Sequence, residues 1–101
     1  MSKFVLKFLW LQKSVAVGLD QVVGERTTPL TEFFFWPQHD AWEDMKNFLE
    51  GKTWISQTDS IVLLNLITEV INDWQDKTEL ERKDVKAISD KFVGVLFIGC
   101  D

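Results

Sequence analysis

A run of four aromatic residues at positions 33–36 (FFFW), closed by Pro37, places the strongest constraint on how this chain folds. Side chains alternate between the two faces of a β-strand, so four consecutive rings cannot all point to one side. Proline lacks a backbone N–H and disfavours helix in the residue before it. We therefore expect a short extended segment at a sheet edge, with both faces covered by a core or by a partner.

Alternating hydrophobicity predicts two strands before the aromatic run. The first covers residues 4–11 and has one fully apolar face and one face interrupted by Lys7. The second covers residues 15–23, and the short polar stretch between the two predicts a hairpin. Residues 24–29 contain glycine, proline and polar side chains, so they are predicted to form a loop that ends the hairpin.

Three helix starts follow, each marked by a capping residue and an acidic residue three positions later. These pairs are Asp40 with Glu43, Ser56 with Asp59, and Thr78 with Glu81. The first helix is expected to run to about residue 50, where Gly51 supplies a stop. The second has a wide apolar stripe and is expected to be central. The third is more charged, and its inner positions are Val85, Ile88 and Phe92.

Residues 93–98 are apolar and strand-sized, which predicts a last strand at the C-terminal end. The sequence thus predicts one α+β domain over residues 1–101. It consists of a small, mainly antiparallel sheet, formed by the N-terminal hairpin and the C-terminal strand, with about three helices packed on one face. A content of 46% hydrophobic and 27% charged residues is typical of a globular chain, and no apolar run is long enough to cross a membrane.

Residue types needed for catalysis or metal binding are scarce. His39 is the only histidine, and the single Cys100 excludes an internal disulfide and a multi-cysteine zinc site. There is no glycine-rich phosphate loop and no nucleophile elbow. The paired carboxylates fall on predicted solvent-facing helix surfaces. We therefore expect no enzyme activity, no cofactor, no metal and no small-molecule substrate.

The charge distribution suggests where a binding surface lies. The net charge is −5, yet residues 1–26 hold four basic and two acidic residues, so the acidic excess lies in the remainder. Basic side chains contact phosphates, and exposed aromatic rings stack on bases or fill protein interfaces. The candidate RNA or protein contacts are Lys3, Lys7, Trp10, Lys13, Arg26, Thr27, Thr28, Phe34 and Trp36. For Trp10 and the nearby lysines, the alternative is a hairpin core covered by the lysine stems. For residues 26–28, the alternative is a loop with no binding role.

Several blocks of the sequence resemble the plastid-specific ribosomal protein three family, a small-subunit family of cyanobacteria and chloroplasts. The resemblance covers about residues 4–75. Its blocks are 4–11 (FVLKFLWL), 19–24 (LDQVVG), 29–37 (PLTEFFFWP), 40–43 (DAWE), 54–55 (WI), 63–65 (LLN) and 68–75 (TEVINDWQ).

The resemblance implies a structural, non-enzymatic component of the ribosomal small subunit that contacts ribosomal RNA and neighbouring proteins and needs no cofactor. We also expect the chain to be a monomer when free. It implies a cyanobacterial cytoplasm or a chloroplast stroma. The first strand begins almost at Met1, so we expect no transit peptide and synthesis where the protein works. The rival interpretation is an acidic adaptor whose exposed aromatic side chains dock onto an unrelated soluble protein.

Two expectations concern orientation on the ribosome. The basic N-terminal end and the Arg26 loop are expected to face RNA, while the acidic helix surfaces face solvent or basic tails of neighbouring proteins. Within the aromatic run, one alternating set, either 33 with 35 or 34 with 36, should pack under the central helix. The other set should line a contact surface.

Overall fold

The computed structural model describes residues 4–83, 85–92 and 95–98, which fold as helices on one face of a small sheet. The strands are β1 (Phe4–Trp10), β2 (Val15–Val23), β3 (Arg26–Pro29), β4 (Phe34–Trp36) and β5 (Leu96–Ile98). The helices are α1 (Ala41–Glu50), α2 (Gln57–Asp76) and α3 (Val85–Lys91), with a 3₁₀ turn at Glu81–Lys83. The predicted α+β class is confirmed.

The sheet is mixed, with the strand order β3-β2-β1-β5. β1 and β2 form the predicted antiparallel hairpin, in which Phe8 pairs with Val17. The last strand, β5, joins the sheet as predicted. It lies beside β1 and runs parallel to it, with Phe97 opposite Phe8. Parallel strands need a long connection, and here the chain between β1 and β5 contains the other three strands and all three helices.

The predicted loop at residues 24–29 is wrong for residues 26–29, because β3 pairs antiparallel with β2. Val23 lies opposite Arg26, which leaves a two-residue turn at the tip of the hairpin. Gly24 opens that turn with a φ of 63°, a conformation that glycine adopts at little cost. The polar residues of this segment give no strand signal in the sequence, and the segment is extended because it pairs with β2.

Residues 34–36 of the aromatic run form β4, which pairs with the same edge of β2 as β3 does. β3 pairs with residues 20–23 and β4 with residues 15–17. Between β3 and β4 the chain moves away from the edge of β2 near Leu19. The Leu19 carbonyl accepts the N–H groups of Leu30 and Thr31 at 2.8 and 3.3 Å. The Thr31 hydroxyl accepts the Leu19 N–H at 2.9 Å. These bonds satisfy the backbone of Leu19 on the side of β2 where neither β3 nor β4 lies opposite it. The Trp36–Pro37 peptide bond that follows is cis.

The first two helix starts are confirmed by their caps. The Asp40 carboxylate accepts the N–H of Glu43 at 3.0 Å, and the Ser56 hydroxyl accepts the N–H of Asp59 at 3.1 Å. Gly51 caps the C-terminal end of α1, as predicted. Each cap satisfies a backbone group that has no partner inside its helix.

The third capping pair forms, but it does not open the predicted long helix. The N–H of Thr78 donates to the Glu81 carboxylate at 2.8 Å, and the N–H of Glu81 donates to the Thr78 hydroxyl at 3.2 Å. This box leads into the 3₁₀ turn, and α3 begins later, at Val85. Ile88 and Phe92 are buried as expected.

All three helices contribute to one core on the same face of the sheet. Its buried members include Leu6, Phe8 and Trp10 from β1, Val15, Val17 and Leu19 from β2, Met45 and Leu49 from α1, Ile67, Val70 and Trp74 from α2, and Ile88 from α3. Phe97 adds a ring from β5, with its centroid 5.5 Å from that of Phe8 and 5.8 Å from that of Trp10. Burying each such ring contributes about 2 to 3 kcal/mol.

Candidate RNA and protein contact surfaces

The face of the sheet opposite the helices is the first candidate surface, and strand register defines it. Residues that pair across antiparallel or parallel strands share a face. The core residues of β1 and β2 alternate with residues that point the other way. We use the name outer face for the part of this surface that excludes Val22 and β3, and its members are Val5, Lys7, Leu9, Ala16, Gly18, Asp20, Phe35, Leu96 and Ile98. No helix from the described residues covers it.

Lys7 lies at the centre of the outer face and already has a partner. Its ammonium is 2.7 Å from a carboxylate oxygen of Asp20, and the two side chains are 13% and 9% exposed. The ammonium also lies 5.2 Å from the ring centroid of Phe33. A side chain at Gly18 would put its Cβ 2.9 Å from Lys7 Cε, so the glycine makes room for the lysine stem. The structure therefore places Lys7 in a covered ion pair.

Trp10 is fully buried, with 0% exposure, and its indole N–H donates to the carbonyl of Arg82 at 2.8 Å. A ring in this position cannot stack on an RNA base in the folded chain. The structure corrects the prediction for Trp10 and favours the alternative, a hairpin core with a lysine stem along the opposite face.

Arg82 completes a cluster that sequence reasoning missed. Its guanidinium donates to the carbonyls of Trp74 at 2.9 Å and Gln12 at 2.6 Å, and lies 3.6 Å from the centroid of the Trp74 ring. The indole N–H of Trp74 donates to the carbonyl of Leu11 at 2.8 Å. We call Trp10, Trp74 and Arg82 the tryptophan–arginine clasp. It fixes the turn between β1 and β2 against the end of α2, and its partners are too far apart in sequence for any local pattern to reveal it.

The aromatic run divides between the two faces as alternation requires. Phe34 and Trp36 pack against the core, opposite Val17 and Val15 of β2. Phe35, opposite Ala16, lies on the outer face. The two candidates named from sequence, Phe34 and Trp36, are therefore the set under the helices. Phe33 and Phe35 are the outward set.

Trp36 keeps one accessible edge. It lines a cleft of about 190 Å³ together with Trp42 and residues of α2. Phe34 and the outward pair, Phe33 and Phe35, line a second cleft of about 360 Å³ at the β4 edge, with Glu32, His39 and Asp44. These clefts are open to solvent beside the core.

The remaining basic and hydroxyl candidates are exposed but do not meet. Arg26, Thr27 and Thr28 all lie on β3, next to the hairpin tip. Lys13 lies in the turn at the other end of β2. β2 has nine residues, and a strand of this length spans roughly 30 Å. The predicted basic end is therefore two separate sites. Lys3 lies outside the described residues.

The helical side carries the acidic surface. A cleft of about 550 Å³ between α2 and α3 is lined by Glu69, Asp73, Asp76 and Lys91, among others. Asp73 lies 2.5 Å from the ammonium of Lys91 and 3.3 Å from that of Lys77. Burial raises the pKa of Asp73, but hydrogen bonds and attraction from Lys91 and Lys77 more than offset this and hold it below its usual value.

Within residues 4–83, 85–92 and 95–98, no group of three or more potential metal ligands comes together. In the same residues, no helix is both long enough and apolar enough to cross a bilayer.

Comparison with known proteins identifies the family. Residues 30–84 match the family model described as "Plastid and cyanobacterial ribosomal protein (PSRP-3 / Ycf65)". The chain is 67% identical to "Small ribosomal subunit protein cS23" of Euglena stellata over 101 residues, all of both chains. It is 48% identical to the protein of that name from Mesostigma viride, covering 96% of this chain and 85% of that one.

A cyanobacterial relative, "Probable small ribosomal subunit protein cS23" of Synechococcus sp. (strain JA-3-3Ab), is 57% identical over 76 residues, 75% of this chain and 77% of that one. The family-model match over residues 30–84 contains the aromatic run and both long helices, α1 and α2. The chain belongs to the plastid and cyanobacterial ribosomal protein family PSRP-3 / Ycf65.

Proposed function

We infer that this protein is a structural, non-enzymatic component of the small ribosomal subunit, working in a chloroplast stroma or a cyanobacterial cytoplasm. The observation that carries this is the 67% identity, over all of both chains, with a small ribosomal subunit protein. Family membership, and not a catalytic site, thus defines the role. We propose that the chain is a monomer before it joins the subunit and that it binds ribosomal RNA and neighbouring proteins there.

We propose that the RNA contact lies at the hairpin of β2 and β3. Arg26, Thr27 and Thr28 are exposed there and have the donors that phosphate oxygens accept. Lys13, exposed about one strand length away, is a second contact point. Lys7 and Trp10, which are committed to an ion pair and to the core, do not take part.

The acidic surface of the helices indicates which side of the protein faces away from RNA. A chain with a net charge of −5 is repelled by phosphates, so the side that bears α2 and α3 turns away from RNA, toward solvent or toward basic segments of neighbouring proteins. With so few cations available, the protein neutralises about one to three phosphates, and its affinity falls only modestly as salt is raised.

Sedimentation with purified small subunits tests this proposal. Tagged protein should migrate with the subunit at low salt and be released as salt is raised. The substitution Arg26→Ala should weaken binding and reduce the slope of log K against log salt by about one. The matched control is Lys86→Ala, which removes an exposed cation from α3 instead. That control should leave both the affinity and the slope unchanged.

Two results would overturn parts of the proposal. Wild-type protein that remains at the top of the gradient at all salt concentrations would contradict ribosome binding and favour the acidic adaptor. Equal effects of Arg26→Ala and Lys86→Ala would contradict the hairpin as the RNA contact while leaving subunit binding intact.

A further inference from the structure

The outer face of the sheet is buried over Ala16 and Asp20, but its β5 side is apolar and exposed. Leu96 and Ile98 of β5 are 49% and 43% exposed. They continue onto Val5 and Leu9 of β1, which are half-buried. A sheet with helices on one side usually carries polar residues on its solvated side. This face departs from that rule across two adjacent strands.

The charges on this face are neutralised. Lys7 and Asp20 form an ion pair at 2.7 Å, and both side chains are almost fully covered. The other members of the outer face are uncharged. Phosphate recognition requires free cations or donors, and no described residue of this face supplies a free cation.

The aromatic rings are also poorly placed for bases. Phe33, which borders the outer face, already has the Lys7 ammonium 5.2 Å from its centroid. Phe35 is half-buried beside β2, where it pairs with Ala16. An apolar, charge-depleted surface with aromatic side chains at its border has the composition of a protein interface core.

We propose that the outer face binds an apolar surface of a neighbouring protein on the small ribosomal subunit. The proposal rests on the proposed function and deepens it, because it assigns one face of the sheet to a protein partner and leaves the β2–β3 hairpin to RNA. Leu96 and Ile98 are its most exposed anchors. The neutral Lys7–Asp20 pair tolerates an apolar partner because neither charge is left unpaired when water is removed.

Site-specific photo-crosslinking identifies the occupant. A photoreactive amino acid replaces Leu96 in one variant and Leu80 in the control. Leu80 is an exposed leucine, at 73%, that is not a member of the outer face. Each variant is first sedimented with small subunits and then irradiated. We expect the residue at position 96 to form an adduct with a ribosomal protein that survives RNase digestion. We expect little or no adduct from position 80.

Each other outcome has a defined meaning. An RNase-sensitive adduct at position 96 would assign the face to RNA and overturn the proposal. An adduct with a second copy of this chain, or no adduct from bound protein, would also overturn it. Failure of the wild-type chain to sediment with the subunit would instead contradict the proposed function itself.

Paired substitutions provide a second measurement that does not depend on crosslinking yield. Leu96→Asp and Ile98→Asp should each weaken subunit binding by about tenfold or more, as expected for anchors of an apolar interface. Leu80→Asp and Ile61→Asp, at comparably or more exposed positions of 73% and 52%, should leave binding unchanged. Circular dichroism on the four free variants checks folding, and equal affinity of all folded variants would refute the proposal.

Discussion

Replacing Arg82 with alanine should destabilise the fold more than Arg26→Ala or Lys86→Ala. The guanidinium joins two backbone carbonyls that are far apart in sequence, those of Gln12 and Trp74, and stacks on the Trp74 ring. Its removal leaves both carbonyls without that donor and exposes one side of the indole. The turn between β1 and β2 then loses a main attachment to the helical layer.

The geometry sets the size of the effect. Each hydrogen bond from a charged donor contributes about 1.5 to 3 kcal/mol, and the contact with the indole ring about 0.5 to 2 kcal/mol. Arg82 is only half-buried, so water partly replaces its bonds in the variant. We therefore expect a loss of about 2 to 4 kcal/mol in the free energy of unfolding. For a chain of this size the midpoint of thermal unfolding should fall by about 10 to 20 °C.

Urea unfolding followed by tryptophan fluorescence measures this loss directly, since Trp74 lies under the guanidinium. Arg82→Lys keeps the charge but not the planar fork, so it should recover less than half of the stability. Lys83→Ala, in the same 3₁₀ turn, is the control and should change stability by less than about 0.5 kcal/mol. A loss below about 0.5 kcal/mol for Arg82→Ala, or full recovery by lysine, would refute the reasoning.

Two further predictions address the ion pairs. Asp73→Asn should cost about 1 kcal/mol at neutral pH, where the lowered pKa of Asp73 favours the fold. The difference from wild type should begin to shrink as pH falls through the ordinary aspartate value of 3.8, and it should vanish once pH lies below the lowered pKa of the native state and the carboxylate is protonated. Urea titrations across acid to neutral pH check this, and a constant difference would contradict it. Gly18→Ala should cost about 1 to 2 kcal/mol by displacing the Lys7 side chain, and most of that cost should disappear in a Lys7→Ala background. Additive losses in the double variant would exclude this clash as the cause.

The elements that sequence reasoning found are those with strong local signals. β1, β2, α1 and α2 each have a period or a cap that depends only on nearby residues, and all four lie where predicted. β3 was missed because Arg26, Thr27 and Thr28 show no hydrophobic alternation. Their extended conformation is imposed by pairing with β2 across the Gly24 turn.

The contact residues were harder to predict because exposure depends on the tertiary structure. Lys7 and Trp10 lie on the same strand, yet the charge of Lys7 is neutralised by Asp20, and Trp10 is buried in the core with its indole N–H bonded to Arg82. Alternation predicted that the aromatic run would divide between two faces. Only the register with β2 decides that Phe34 and Trp36 point inward.

The pairing of β5 with β1 has a consequence for the order in which the molecule assembles. Phe97 lies opposite Phe8 and packs against both Phe8 and Trp10, so the N-terminal strand is completed by residues near the other end of the chain. During synthesis, the hairpin of β1 and β2 precedes this partner and leaves one strand edge open. Contacts of such long separation form late and slow folding. Until β5 docks, the growing chain carries an unpaired strand edge and incompletely covered rings, the features that make a nascent protein dependent on prompt docking or on chaperones.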